Sequence, residues 1–440
     1  MYHNTQIIYK ILSKIKLKKN NEKIAIIGGG ISGITASVLL IEKGYKVDIF
    51  EAKKNLGGRA GSIQNKNITI DIGQHIFLPS YKTFLEVLDK LGLNHYLNIE
   101  KKLNIPIQYK GKKYLLKSRI PFFPLNMMFS VIGYKNLKFS ERIKIIICLY
   151  KLSKLKDNNS KTSFLSWLKQ NGQNNNMIKK FWDIISKPAF NSELNKISIN
   201  HAKNLFKLMI FDYKKNVGIC YFKKPFSEII EKNFHSYLKN NNSNLFKTEK
   251  IEEIKSFQKK ISLRSKKENY IYDKAIVATN LGGIKNYGEN LIDNNVKTDS
   301  IINIYFWFDK KIIDEDFISF SDSKLEWVFS DNKLIKSKKE YRISVSISAA
   351  NNKLKIQNEK LILEYEKILR KELNISKKVK TIRSLIIRSP KATQIKMKNN
   401  NIRRKNKNIY FVGDWTLSSL PNTMETAALS SKKLIDNHFK

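Results

Sequence analysis

Residues 23–33 read Lys23-Ile24-Ala25-Ile26-Ile27-Gly28-Gly29-Gly30-Ile31-Ser32-Gly33, and the fold turns on how this stretch is read. Lys23 to Ile27 is a short β-branched run of the kind that forms a buried strand. It feeds directly into G-x-G-x-x-G, after which Ile31, Ile34, Val38 and Ile41 keep helical spacing until Gly44 ends the helix. Lys46 to Phe50 is a second strand, closed by Glu51, 18 residues beyond Gly33. Each part has a physical reason. Gly28 permits the tight turn, Gly30 lets backbone approach a pyrophosphate, and Gly33 lets the helix pack on the strand, with Ser32 in the helix's first turn. Glu51 is placed to accept hydrogen bonds from ribose hydroxyls. Glycine-rich turns are common, but strand, glycines, helix, strand and acid in this order predict a dinucleotide site.

Outward from that unit, 440 residues predict two or three domains, each able to bury a core. The formal charge is +44, from 82 basic and 38 acidic residues. Only ten of the basic residues are arginine, and the lysines are dispersed along the chain among asparagine and isoleucine, which points to genome composition. No helix-turn-helix, zinc-finger or RNP pattern is present, so nucleic acid is not an expected partner. Cys148 and Cys220 stand far apart without a CxxC, which excludes a disulfide framework and a cysteine metal site and suits a reducing compartment. No metal site of any kind is expected. Apolar runs are too short for a spanning helix, and the N-terminus lacks the apolar core of a secretory signal.

Downstream, Leu56-Gly57-Gly58-Arg59-Ala60 places a guanidinium where it can meet cofactor phosphates. Here the chain resembles the flavin-dependent amine oxidase and carotenoid desaturase superfamily, whose second FAD motif has this GGR signature. The resemblance implies bound FAD rather than exchangeable NAD. Three later stretches fit it: Leu245 to Ile254, Tyr270 to Asn280, and Ile409 to Trp415 followed by Pro421 to Ser431. By the resemblance, backbone near Ile251 meets adenine, although its side chain reads as an ordinary core isoleucine. Gly413 and Asp414 lie at the ribityl-phosphate, and Met424 opens the helix that faces the flavin ring.

Within that superfamily, Asp71-Ile72-Gly73-Gln74-His75 resembles the D-x-G-Q-H motif of hydroxysqualene dehydroxylases. Phe181 to Ile199, Glu326 to Phe329, Pro390 to Thr393 and Leu420 to Glu425 resemble further stretches of theirs in the same order, so the likeness covers about residues 22–436. Three positions depart: Ile72 replaces asparagine, while Thr426 and Ser431 replace glycines on the helix near the cofactor. The implied reaction is reductive loss of an allylic hydroxyl, hydroxysqualene to squalene, with a hydride from reduced flavin and a proton for the departing oxygen. Asp71 and His75 are candidates for the acid, and Gln74 for an amide directed at flavin or alcohol. Against this, Asp71 as a turn-fixing hydrogen bonder and His75 as a satisfied buried imidazole are each slightly preferred.

The expected architecture is a two-domain α/β, Rossmann-like flavoprotein with an inserted α+β substrate domain. The FAD-binding domain is assigned to residues 20–80, 228–298 and 396–440. The substrate domain takes 85–227, read as helical, and 299–395, read as strands around a helix. Residues 1–20 form a basic extension, amphipathic over Tyr2 to Lys19. That segment and the apolar, lysine-bordered region Ile120 to Tyr150 lead us to expect peripheral attachment to an anionic membrane on its cytoplasmic, inner face. An almost insoluble isoprenoid substrate would be collected there. The electron donor is not legible. Other functions on the same frame are a carotenoid desaturase or isomerase, an amine oxidase, and a non-catalytic FAD-binding partner.

Overall fold

The computed structural model describes residues 21–65, 68–118, 125–156, 162–211, 218–280, 283, 297–330, 340–394, 407–417 and 419–440. The amphipathic segment 2–19, Phe122 and Phe123 lie outside the described residues.

Five parallel strands form the first sheet, in the order Ile409–Phe411, Lys274–Val277, Lys23–Ile27, Lys46–Glu51 and Asn244–Lys247. A parallel sheet must be covered on both faces, which is why its central strand, KIAII, is apolar at successive positions rather than alternate ones. Ile24 and Ile26 face one side and join a core with the helices Ile31–Glu42, Lys82–Lys90, Phe226–Asn240 and Met424–His438. Ala25 and Ile27 face the other and pack on a three-stranded antiparallel sheet spanning Ile251–Phe257, Lys260–Ser265 and Asn269–Tyr272.

The second large sheet has seven strands, in the order Thr381–Gln394, Thr298–Phe308, Tyr341–Ile347, Trp327–Ser330, Phe317–Phe320, Asn104–Tyr109 and Lys112–Lys117. Its strands alternate by residue. Ile302, Ile304, Phe306, Ile343 and Val345 pack on Leu361, Tyr365 and Leu369 of the helix Asn358–Glu372. Asn303, Tyr305, Trp307, Arg342, Ser344 and Ser346 fall on the opposite face.

The reading of 85–227 as helical is corrected here. A core around Trp182 and Phe206 is helical, but Asn104–Tyr109 and Lys112–Lys117 form a hairpin that completes the seven-stranded sheet. Its turn is Lys110-Gly111, both with positive φ (47° and 74°). That backbone suits a two-residue hairpin, but lysine lacks the sequence signal that asparagine or aspartate gives at the first position. A short ladder between Leu97–Ile99 and Cys220–Phe222 adds further strand.

Candidate active site

The turn after Lys23–Ile27 is held by close backbone packing. Gly28 has φ +112°, and a Cβ there would meet the Ala278 carbonyl oxygen at 2.8 Å. A Cβ on Gly33 would stand 1.9 Å from the Gly28 oxygen, so only glycine lets the helix start this close to the strand. Gly30 differs: a Cβ on it would find nothing nearer than the Gly58 Cα, at 3.8 Å. The space above Gly30 is therefore open.

The second glycine pair docks onto this turn. Gly57 donates its N–H to the Gly29 oxygen at 2.9 Å, and Gly30 bridges to Gly57. Glu51 ends its strand against the same turn, with Oε2 accepting from Gly29 N at 2.7 Å and Oε1 from Lys53 N at 2.8 Å. Glu249 N donates to the Glu51 carbonyl at 2.9 Å, which sets the start of the Ile251 strand beside the acid. The Ile251 side chain is buried in the core shared with Phe50. Arg59, half-exposed, donates Nη2 to Asp414 Oδ1 at 2.5 Å and Nη1 to the Ala392 oxygen at 2.8 Å. Gly413 and Asp414 follow the strand Ile409–Phe411, and Gly413 N donates to Ser430 Oγ. Ser32 is buried, and its carbonyl accepts from Ser431 Oγ at 2.8 Å, joining the glycine-rich helix to the helix that Met424 opens. Segments from both ends of the chain thus meet at one cradle.

The run Asp71–Ile76 is half-buried throughout, between buried Ile70 and Phe77. It lies against the polar face of the seven-stranded sheet. Tyr305 Oη donates to the Asp71 carbonyl at 2.7 Å, Asn303 Nδ2 to the Ile72 carbonyl at 3.1 Å, and Gln74 Nε2 to Ser344 Oγ at 2.9 Å. Asp71 Oδ1 accepts from Ser62 Oγ at 2.5 Å and from Phe226 N at 2.9 Å. That is the turn-fixing use of Asp71. Burial nevertheless raises its pKa to about 6, against the lowering effect of those two donors and of Arg342. Burial lowers His75 to about 4, so its imidazole is neutral at neutral pH, and its Nε2 finds no hydrogen-bond partner among the described residues. His75 is therefore not a satisfied imidazole.

Sequence reading missed Ser62, Asn303, Tyr305, Ser344 and Glu425, whose carboxylate accepts from Thr83 N and Phe84 N. A signal was present for two of them. Asn303 interrupts an apolar strand, and Tyr341 to Ser348 places serine at every second position. Alternation puts these polar residues together on one face of the sheet.

The fold and cradle define a two-domain dinucleotide-binding protein whose second sheet meets the cradle where Arg59 donates to the Ala392 carbonyl. A family model for flavin containing amine oxidoreductases matches residues 31–433, and the chain belongs to that family. Zeta-carotene desaturase of Synechocystis is 24% identical over 251 residues, 53% of this chain and 50% of that protein. A flavin-containing amine oxidase of Danio rerio is 35% identical over 121 residues, 27% of this chain and 22% of that one. The chain thus spans half or less of the length of these curated relatives. Among solved structures, a putative protoporphyrinogen oxidase from Exiguobacterium superposes with TM-score 0.68 at 13% identity, covering 95% of this chain and 98% of that one.

FAD is the cofactor of this family. The residues present fit it. The space above Gly30 accommodates a close-approaching phosphate, and the helix Ile31–Glu42 has neither a side-chain cap nor a carboxylate in its first turn, leaving N–H groups for an anion. Gly28, Gly30, Ser32 and Gly33 would hold the pyrophosphate, Glu51 the ribose, Arg59 the phosphates, and Asp414 the ribityl hydroxyls.

Proposed function

We propose that the chain acts on a long isoprenoid, and specifically that it reductively dehydroxylates hydroxysqualene to squalene. The supporting observation is His75, whose buried Nε2 has no hydrogen-bond partner among the described residues. Gln74 and Ser344 bond each other, and Asn303 bonds the Ile72 carbonyl and Ser346, but a pure hydrocarbon would leave His75 Nε2 buried without a partner, at about 1–3 kcal/mol. An allylic alcohol supplies that one missing partner. Bound FAD, once reduced, supplies the hydride equivalent. The protein's own part is to orient the hydroxyl and deliver one proton to the oxygen that leaves as water. Asp71, titrating near 6, is the better acid of the two candidates, because a neutral imidazole is a poor proton donor. His75 Nε2 is left for the substrate oxygen or a water.

The similarity to zeta-carotene desaturase favours a second reading, removal of hydrogens from a carotene by oxidised flavin. One experiment separates the two. FAD-loaded protein, chemically reduced without oxygen, is incubated with hydroxysqualene; oxidised protein with an electron acceptor is incubated with phytoene, zeta-carotene and simple amines. Squalene from the first mixture is the expected result. A desaturated carotene or an aldehyde from an amine, with no squalene, refutes the proposal. Full flavin occupancy without any turnover points to the non-catalytic alternative.

A further inference from the structure

Eleven large apolar side chains are exposed among the described residues, and six of them, Leu125, Met128, Phe129, Phe139, Ile147 and Tyr150, fall on two neighbouring helices, Leu125–Ile132 and Phe139–Lys154. The first helix buries Met127 and Val131 in the core and still presents Leu125, Met128 and Phe129 outward, so it is apolar on both faces. A helix of that kind is normally covered on both sides. On the second, Phe139 and Tyr150 are each 63% exposed.

Charge around this patch is of one sign. Lys135, Lys138, Lys144, Lys151 and Lys154 are exposed on and beside it. Among the described residues no carboxylate lies within ion-pair reach of any of them. Elsewhere lysines pair locally, as Lys179 does with Asp322 and Lys187 with Glu193 and Glu326. From Lys101 to Lys156 the sequence holds a single carboxylate, Glu141. That one is buried, accepting from Asn174 Nδ2, Asn176 Nδ2 and Lys138 N. Beside its apolar groups the patch therefore carries cations and no described exposed carboxylate, its other exposed polar groups being the uncharged Ser140 and Ser153. A cleft lined by Lys117, Lys135 and Leu115 adjoins it at the turn before the second helix.

We propose that this face docks on an anionic lipid bilayer, the six apolar side chains entering the acyl boundary while the lysines meet headgroup phosphates. Charge complementarity selects this occupant. A second copy of the same face would oppose cation to cation. Single-stranded nucleic acid would leave Leu125, Met128 and Ile147 without aromatic stacking surfaces to offer. The anionic leaflet facing the cytoplasm has the required chemistry. The use of such docking, collecting a substrate dissolved in the bilayer, rests on the isoprenoid reading above; the surface itself does not.

The test uses full-length, FAD-loaded protein in co-sedimentation with phosphatidylglycerol–phosphatidylcholine vesicles and with phosphatidylcholine alone. The protein is expected to pellet with the first and stay largely in solution with the second. The triple variant Phe129→Ser, Phe139→Ser, Ile147→Ser should bind at least about tenfold more weakly. Lys138→Gln and Lys144→Gln should each weaken binding about fivefold. A matched triple elsewhere, Ile271→Ser, Leu363→Ser, Ile382→Ser, should bind as the parent does, and flavin absorbance and unfolding midpoint report that each variant is folded. The proposal is overturned if the parent ignores anionic vesicles, or if both triples bind alike. It is also overturned if light scattering shows a dimer that the first triple dissolves. Vesicle binding together with turnover of an amine would sink the isoprenoid reading and leave the docking surface standing.

Discussion

Gly30→Ala and Gly33→Ala should separate cofactor binding from folding. Gly30 has φ −81° and ψ −179°, extended backbone that alanine adopts freely, and its added methyl would meet nothing closer than 3.8 Å. Alanine is a poorer helix N-cap than glycine by up to about 1 kcal/mol, while the stiffer unfolded chain returns about 0.4–1 kcal/mol. The apoprotein's stability should therefore change by less than about 1 kcal/mol. The methyl does occupy the space a pyrophosphate needs, however, and one charge-assisted hydrogen bond lost there is worth about 1.5–3 kcal/mol, a tenfold to hundredfold weaker Kd. At Gly33 the same methyl would lie 1.9 Å from the Gly28 oxygen, so helix and strand must part, at about 1–3 kcal/mol or more with no cofactor present. Urea unfolding of both apoproteins reads the first quantity, and quenching of FAD fluorescence on titration reads the second. A Gly30→Ala protein that takes up FAD with the parental Kd would refute the placement of the pyrophosphate. A Gly33→Ala apoprotein with the parental midpoint would refute the account of the turn.

Asp71 and His75 make opposite contributions to stability between about pH 4 and 6. Asp71 rises from 3.8 to about 6, so the folded state holds its proton more tightly and that stabilisation is lost as pH rises through the window. His75 falls from 6.5 to about 4, so the folded state refuses the proton and stability is lost as pH falls. Relative to the parent, Asp71→Asn should make the urea midpoint climb more steeply with pH, and His75→Gln should make it climb less; parallel curves for all three proteins would contradict the assignment. If Asp71 is the acid, turnover should decline as pH rises through about 6, and Asp71→Asn, which keeps the acceptor for Ser62 and Phe226, should lose turnover while retaining FAD. Glu425→Ala should cost about 2–4 kcal/mol in chemical denaturation, because it strands the buried N–H groups of Thr83 and Phe84; Glu425→Gln, which retains one acceptor, should cost markedly less.

The parts legible in the sequence were those with local causes. The strand–turn–helix of residues 23–42 announces itself because steric need for glycine and helical spacing act within a few residues, and Gly44, with φ +86°, stops the helix as its position predicts. The strands Thr298–Phe308 and Tyr341–Ile347 were legible from alternation. The hairpin at Lys110-Gly111 was not, because positive φ at a lysine is imposed by the ladder it closes. Site partners were the least legible. Ser62 and Phe226 reach Asp71 from chain positions 9 and 155 residues away, and the Phe226 contact is a backbone N–H, which carries no sequence signature.

Of the three positions expected to depart from the hydroxysqualene dehydroxylase motifs, two are absorbed locally. Thr426 Oγ1 donates to the Pro421 carbonyl at 2.6 Å, and Ser431 Oγ donates to the Ser32 carbonyl. Each added hydroxyl thus finds a backbone acceptor, and the Ser431 contact ties the C-terminal helix to the glycine-rich one. Neither hydroxyl is left to present to a substrate. Ile72 is different. Its side chain packs with Ile70, Tyr305 and Trp307, and its carbonyl holds Asn303, whose Oδ1 in turn accepts from Ser346. An asparagine at 72 would bring an amide into that apolar cluster or turn it toward the site, disturbing the Asn303–Ser346 pair either way. On the proposed isoprenoid reading, selectivity between an alcohol and a hydrocarbon would fall to the 71–75 loop and the sheet face it rests on, and the helix begun by Met424 would serve the cofactor instead.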